Sequence, residues 1–551
     1  MPLKDMSFAA ASGLTVPELF QRRISETPDA LAARSVLGEM TFAEWGQRAD
    51  SLRASFELVA GGTLAGERIA LWMTNDEALA YLGAVQAAFS AAAIAVPLDD
   101  RMAVPEARRI LAEADPRLLV ISRLVAERLG EEGFAELGAM APDQANATAF
   151  ILRAERGEVT DAPVPWEQAV ASGGSPGPSP ARPDDDALIA YTSGSTGKPK
   201  GAMWTQSAIC QYAERVAHGI HAEPRGGRGL SETDVLQSPI PLYTAASLIE
   251  NMYPTVFAGC TLLFEGRRFD PVASQERMAA FGTTIYNGVP PHLALMCDRE
   301  AHEGAAPELI LTSGSALTGD LYRRVRKRFP TATVVNWYGL NESGTGQLIN
   351  HGTDMEREPQ AIGRPVWPTE IRIVGQDGEP VEEGAEGELW LRSAGQMKRY
   401  FRSPEQTAER LHDGWLRTGD HARMDADGLV HMVGRNEERI NRGGFKYYPA
   451  EVEAALEEHD AVRKAAIVAI PHPVLGQDTV AFVELIREVD EQDLREHCRH
   501  QIAANKVPSR IFVIDELPHG AYGKVQRREL LQRLEESEGG SLGAPSSMST
   551  K

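Results

Sequence analysis

Apolar and polar residues switch between two periods along the chain, and the switches lay out its elements. Within the first 180 residues the pattern predicts a helix over 17–26, a small hairpin around Met40-Thr41-Phe42, a helix over 44–58 and a strand over 68–72. Helical and strand patterns in alternation build a layered sheet from βα units. Residues 78–98 are then almost wholly apolar, interrupted only by Gln86 and Ser90, and on length alone the run could cross a membrane. Alanine dominates it, however, and Pro97 with Asp99-Asp100 closes it. It therefore reads as a buried helix to about Phe89 followed by the strand Ala93-Ile94-Ala95-Val96.

A Gly/Ser/Pro connector over 172–183 leads to the apolar run Ala187-Leu188-Ile189-Ala190, which reads as a short buried strand. Downstream the pattern predicts a helix over 206–218, a strand over 235–239 and a further helix beginning after Pro241-Leu242-Tyr243-Thr244. Strands over 261–264, 284–286, 309–312 and 333–337 recur with helices between them. That spacing predicts parallel strands joined by crossovers, whose loops gather at one sheet edge. Near residue 434 the organisation changes. A strand over 429–433 meets a polar link, and beyond it a helix over 450–458, strands over 465–470 and 480–486, a helix over 492–505 and a strand over 510–515 form a compact α+β unit. The expected architecture is α/β: a large layered N-terminal domain over 1–433, a linker over 434–436, a small mobile α+β domain over 437–534 and a disordered tail over 535–551.

Composition narrows the partners. The 551 residues carry 56 Lys+Arg against 78 Asp+Glu, a net charge of −22. Such a field repels nucleic acid and anionic membrane, so nucleotide phosphates must be held by local positive groups. Cys210, Cys260, Cys297 and Cys498 lie far apart without metal-ligand spacing, and the N-terminus lacks the apolar core of a signal peptide. A reduced, cytoplasmic protein without a membrane span is expected.

The densest chemistry follows the 187–190 strand. Tyr191-Thr192-Ser193-Gly194-Ser195-Thr196-Gly197-Lys198-Pro199-Lys200-Gly201 packs three glycines, four Ser/Thr hydroxyls and two lysines into eleven residues. Glycine lets backbone N–H groups approach an anion, hydroxyls add donors, and lysine adds a point charge. The loop is not of the Walker type, because Thr192 stands where that pattern needs glycine and Pro199 where it needs Ser or Thr. Pro199 also biases Lys198 away from helix, so no helix N-terminus sits under the loop.

This run resembles the signature loop of the adenylate-forming superfamily, which comprises acyl-CoA synthetases, peptide-synthetase adenylation domains and beetle luciferase. The resemblance, closest to acyl-CoA ligases, spans essentially the whole chain. It implies activation of a carboxylate by ATP to acyl-AMP with release of pyrophosphate, then transfer of the acyl group to a thiol. By that match Thr192, Ser193, Gly194, Ser195, Thr196, Gly197 and Lys198 hold phosphates, with Thr192 also catalytic. Asn336-Trp337-Tyr338-Gly339-Leu340-Asn341-Glu342 resembles Tyr-Gly-x-Thr-Glu. Tyr338 would stack on adenine, Glu342 would bind Mg2+ as a hard-cation ligand, and Asn336, Trp337, Gly339 and Asn341 would border the nucleotide with Gly314, Ser315 and Ala316. Asn341 replaces the usual threonine.

Thr418-Gly419-Asp420 resembles the motif whose aspartate holds the ribose hydroxyls, and Arg435 matches the arginine that reaches ribose and phosphate. Lys524, in Gly520-Ala521-Tyr522-Gly523-Lys524, matches the lysine that bridges the carboxylate and the α-phosphate. Glu437 matches the hinge, and Gly443, Gly444 and Phe445 match the wall of the CoA tunnel. Tyr243, Thr244, Asn287, Gly288, Gly314, Gly339, Leu340 and Gly344 are the implied acid pocket, whose small residues suit a bulky apolar acid. Gln206 stands where the family usually has a histidine, and Thr244 where it has a histidine or an aromatic residue. The expected function is an acid–CoA ligase using ATP, Mg2+ and CoA. Loading of a carrier protein in trans, a non-catalytic nucleotide-binding protein and a luciferase-type oxygenase are the alternatives.

Overall fold

In a computed structural model of the chain, the described residues are 11–102, 104–137, 147–155, 158–159, 163–172, 174, 176–192, 200–300, 302–315, 317–435, 438, 440–442, 445–472, 475–502, 506–519 and 524–537. Contacts divide the chain into two compact units, Met1–Ile371 with Leu391–Arg417, and Arg372–Trp390 with Thr418–Lys551. This division falls upstream of the link expected at 434–436.

The first unit contains two large sheets. One runs in the order Arg364–Pro365, Gly344–Asn350, Thr333–Leu340, Leu309–Thr312, Ile285–Gly288, Val235–Ser238, Thr261–Phe264, Leu31–Ser35, Gly38–Thr41. The strands expected to be parallel are so, with Gly288 opposite Thr312 and Thr312 opposite Asn336. Their C-terminal ends therefore converge on one edge. The 333 strand runs further than its apolar run indicates, to Leu340, and turns back into Gly344–Asn350 as an antiparallel hairpin. The second sheet contains Arg399–Tyr400, Lys200–Thr205, Asp186–Thr192, Ile94–Leu98, Arg68–Trp72, Leu118–Ser122 and Ala149–Glu155, in that order.

Local chemistry sets the helix starts. Val16–Glu26 begins at Thr15 and Phe42–Ala60 at Thr41; in each the threonine hydroxyl accepts the backbone N–H of a glutamate three residues on, whose carboxylate caps back. The alanine-rich run is the helix Ala78–Ser90 and the strand Ile94–Leu98, both buried. Its small residues admit a close neighbour: a Cβ on Gly83 would fall 3.2 Å from Arg48 and Leu52. No described helix is long and apolar enough to cross a membrane. After the phosphate loop the chain first forms the strand Lys200–Thr205, and only then the helix Gln206–Arg215, which passes into a π-helical turn over Val216–Ile220.

The second unit is a mixed α+β body. Gly476–Leu485 pairs antiparallel with Val462–His472 and parallel with Arg510–Val513, and the helices Pro449–Glu457 and Glu491–Gln501 belong to the same body. A further helix, Arg527–Ser537, was not legible in the sequence, and it carries order past residue 535, where a disordered tail was expected. Arg527 ties it down, donating to the Ile467 carbonyl at 3.0 Å and to Glu453 at 2.7 Å. The four cysteines are free thiols, and three of them are buried.

Candidate active site

The strands on either side of the phosphate loop pair antiparallel. Thr192 pairs with Lys200 and Tyr191 with Gly201, and the strand Lys200–Thr205 pairs in turn with Arg399–Tyr400. Ser193, Gly194, Ser195, Thr196, Gly197 and Lys198 lie outside the described residues. Gly201 is required where it stands, because a Cβ there would fall 2.6 Å from Ile189. The Lys200 ammonium lies 5.7 Å from the centre of the Tyr400 ring.

Tyr400 also reaches the other motif. Its hydroxyl donates to Glu342 Oε1 at 2.7 Å, the Met397 N–H donates to the Glu342 carbonyl at 2.7 Å, and Trp204 Nε1 donates to the Asn341 carbonyl at 3.2 Å. The two motifs, far apart in sequence, are thus clamped together by the 397–400 segment and by Trp204. Tyr400 carried no motif, and sequence reasoning missed it, as it missed Lys200 as a separate site residue. Glu342 is half-buried and accepts one hydrogen bond, which leaves a carboxylate acceptor for a hard cation. Among the described residues no group of three His, Cys, Asp or Glu could hold a metal by itself. A single carboxylate fits Mg2+, which completes its shell with water and substrate phosphates.

The neighbouring strand ends supply a wall of small residues. Gly314 has φ +82° and follows Leu309–Thr312 with Ser315, while Ala316 is outside the described residues. Gly339 lies against the returning strand so closely that a Cβ would stand 2.1 Å from the Gly344 carbonyl oxygen and 2.5 Å from Thr345 Cα. Leu340 pairs with Gly344, whose own φ is +72°. Asn287 and Gly288 end the adjacent strand. Tyr338 is half-buried, and Asn336 donates to the Ala361 carbonyl. Trp337 departs from the expected role: it is 1 % exposed, with its ring packed edge-on to His221 in the core, so only its backbone can face a ligand.

Both replacements have local functions. Gln206 is fully buried, accepting the Val16 N–H at 3.1 Å and donating to the Phe89 carbonyl at 3.3 Å. It satisfies a donor at a helix start and ties three elements together. Thr244 turns its hydroxyl on its own turn, donating to the Pro241 carbonyl and accepting the Ser247 N–H. Tyr243, beside it, accepts from Arg101, which Asp99 holds.

In the second unit Thr418 Oγ1 donates to the Leu389 carbonyl at 2.6 Å and accepts the Asp420 N–H at 3.0 Å, and the Gly419 N–H donates to Glu388. These bonds fix a kinked strand, with Gly419 at φ +74°, that buries Asp420 to 1 % exposure. Asp420 stands directly opposite Arg435 across the antiparallel pair. Lys524 is exposed and precedes a bridge between His519 and Val525. Glu437, Gly443 and Gly444 are outside the described residues, and Phe445 opens the strand Phe445–Tyr447.

Comparison with known proteins shows the family. The family of AMP-binding enzymes matches residues 20–401, and the AMP-binding enzyme C-terminal domain matches residues 451–524. The chain is 31% identical to sulfoacetate–CoA ligase of Cupriavidus necator over 94% of its length and 97% of the relative's. It is 31% identical to feruloyl-CoA synthase of an Amycolatopsis species, over 93% of this chain and 98% of that one. Among solved structures, ATP-bound MatB from Rhodopseudomonas palustris superposes with a TM-score of 0.78 at 25% identity, covering 95% of this chain and 100% of that one. The chain belongs to the AMP-binding enzyme family. Within it, the protein is an AMP-forming acid–CoA ligase, and ATP, Mg2+ and CoA are the cofactors of that reaction.

Proposed function

We propose that this ligase activates a carboxylic acid with a predominantly apolar body, held among Asn287, Gly288, Gly314, Gly339, Leu340 and Gly344. The observation that carries the reading is the convergence at one edge of the first unit: the Lys200 strand, the Tyr400-held Glu342 and the glycine-rich strand ends. Attack of a carboxylate on the α-phosphate brings anion onto anion, so positive charge must meet the developing negative charge. Mg2+ bound at Glu342 would supply part of it. Lys524 supplies the rest, bridging the acid's carboxylate and the α-phosphate. Asp420 accepts the ribose hydroxyls, Arg435 meets ribose and phosphate, and Tyr338 stacks on adenine. Pyrophosphate leaves, and the CoA thiol then displaces AMP from the acyl carbon along Gly443, Gly444 and Phe445, with Glu437 as the hinge between the two steps.

The relatives' names point to acids as different as sulfoacetate and ferulate. Support for the apolar preference is therefore the assigned wall itself, four glycines with Leu340 and Asn287 and no charged side chain among the six. Pyrophosphate release across fatty, aromatic and polycyclic acids, with and without CoA and with mass detection of products, tests it. One class of apolar acid converted to its CoA thioester is the expected result. Acyl-AMP that accumulates with CoA present would overturn the assignment of CoA as acceptor and favour a carrier protein.

A further inference from the structure

The helix that follows Tyr243-Thr244 carries a glutamate into the core. Glu250 lies in a π-helical stretch, Ala246–Met252, and is 2 % exposed. Its Oε1 accepts the Thr345 N–H at 2.9 Å, whereas its Oε2 has no hydrogen-bond partner. Burial pushes the carboxyl up to about 7, opposed only by hydrogen bonds from Thr345. No cation among the described residues contributes. A buried acceptor left bare costs about 1–3 kcal/mol, and π turns are rare and frequently found at functional sites. An apolar residue would fill an ordinary helix position here at no such cost.

The position of Glu250 gives it a partner. Thr345 follows Gly344 and lies against Gly339, both walls of the acid pocket assigned above. The next residue, Asn251, accepts from Asn287 Nδ2 at 2.7 Å and donates to Ser238 at 3.2 Å, which leaves the buried Asn287 Oδ1 without a donor. Two buried, unmatched acceptors thus sit on two elements that border one pocket.

We propose that Glu250, with Asn287, recognises a hydrogen-bond donor on the distal end of the acid, a hydroxyl or an amino group, in a pocket that is otherwise apolar. The inference rests on the pocket assignment under Proposed function. A site built to hydrogen-bond a substrate donor rejects the analogue lacking it far more strongly than an apolar pocket rejects one methylene, because its own buried groups are then left bare.

The test uses the full-length enzyme and three series: hexanoate, decanoate and phenylpropanoate, each with its terminal hydroxy and amino form. In at least one series kcat/KM for pyrophosphate release favours a donor-bearing acid over its parent by about tenfold or more, and which donor wins names the source. In Glu250→Leu that ratio falls to about one, through loss on the donor-bearing acid. Glu250→Gln, close in shape, keeps part of a preference for a hydroxyl and loses most of one for an ammonium. Should Glu250→Leu fail to fold, the wild-type series and Glu250→Gln decide. Adenylates that form with the parent acid preferred in every series, or ratios unchanged in the variants, overturn this proposal alone. No adenylate from any acid overturns the pocket reading with it.

Discussion

The Tyr400 hydroxyl donates to Glu342 Oε1 at 2.7 Å, while the face of the same ring lies 5.7 Å from the Lys200 ammonium. One side chain therefore joins the base of the phosphate loop to the carboxylate assigned to the metal. The hydroxyl fixes one oxygen of Glu342, and the ring offers its negative face to a cation.

Tyr400→Phe keeps the ring and removes only the hydrogen bond. A bond to a charged group contributes about 1.5–3 kcal/mol, so pyrophosphate release at limiting Mg2+ is expected to fall about 10-fold or more, with much of the loss recovered at high Mg2+. A titration of rate against Mg2+ concentration, beside direct Mn2+ binding, reads the shift. An unchanged Mg2+ requirement would show that Glu342 does not depend on Tyr400.

Much of this arrangement was legible before the fold was known, and what was not has a physical reason. The buried parallel strands announce themselves as short apolar runs, so the strands at 261–264 and 309–312 were placed to the residue. The C-terminal end of Thr333–Leu340 was not, because beyond Trp337 the strand is held by backbone pairing with Gly344–Asn350 and not by apolar side chains. Trp337 was assigned to the nucleotide with the rest of its motif, but the strand is buried on both faces over 334–337 and the ring packs against His221 in the core. Tyr400 stands in a polar stretch whose importance comes only from two partners remote in sequence. Glu250 was passed over because a glutamate in a helix ordinarily faces water.

Gly339 is held to glycine by backbone and not by flexible neighbours. Gly339→Ala places a Cβ 2.1 Å from the Gly344 carbonyl oxygen, and overpacking of this kind costs about 1–3 kcal/mol. The melting temperature is expected to drop and adenylation to fall with it, since the displaced hairpin carries the Tyr338 and Glu342 ends of the site. Gly378→Ala is the control for the first effect only in part, because its φ of +84° is strained although no atom lies within 4 Å. A Gly339→Ala protein as stable and active as wild type would show that the hairpin relaxes freely.

Glu250 also predicts a pH dependence of stability. Its folded-state carboxyl is raised to about 7 from 4.5 by burial. The folded chain therefore holds this proton more tightly than the unfolded chain, which favours folding at low pH and is lost as pH rises through about 7. The loss is about 3 kcal/mol at most. The groups around it do not cancel it: Tyr212 is buried with its own titration driven up, and Arg215 acts on Tyr212. Glu250→Gln removes the term, so its stability relative to wild type should improve between pH 5.5 and pH 8 in urea melts. Parallel curves would mean that the carboxyl is charged throughout.

Lys524 separates the two half-reactions. It lies beside the bridge between His519 and Val525 and is exposed, while the helix after it is anchored by Arg527 on Glu453 and the Ile467 carbonyl. Lys524→Ala should therefore leave the second unit folded. If the ammonium bridges the attacking carboxylate and the α-phosphate, its removal exposes the transition state of the first step to uncompensated charge, a loss of at least about 100-fold in pyrophosphate release. The second step attacks a carbon and has no such demand. Supplied acyl-AMP should be converted to acyl-CoA at close to the wild-type rate. A variant that loses both steps equally, with its melting temperature unchanged, would refute the role, because the lysine would then serve nucleotide binding common to both.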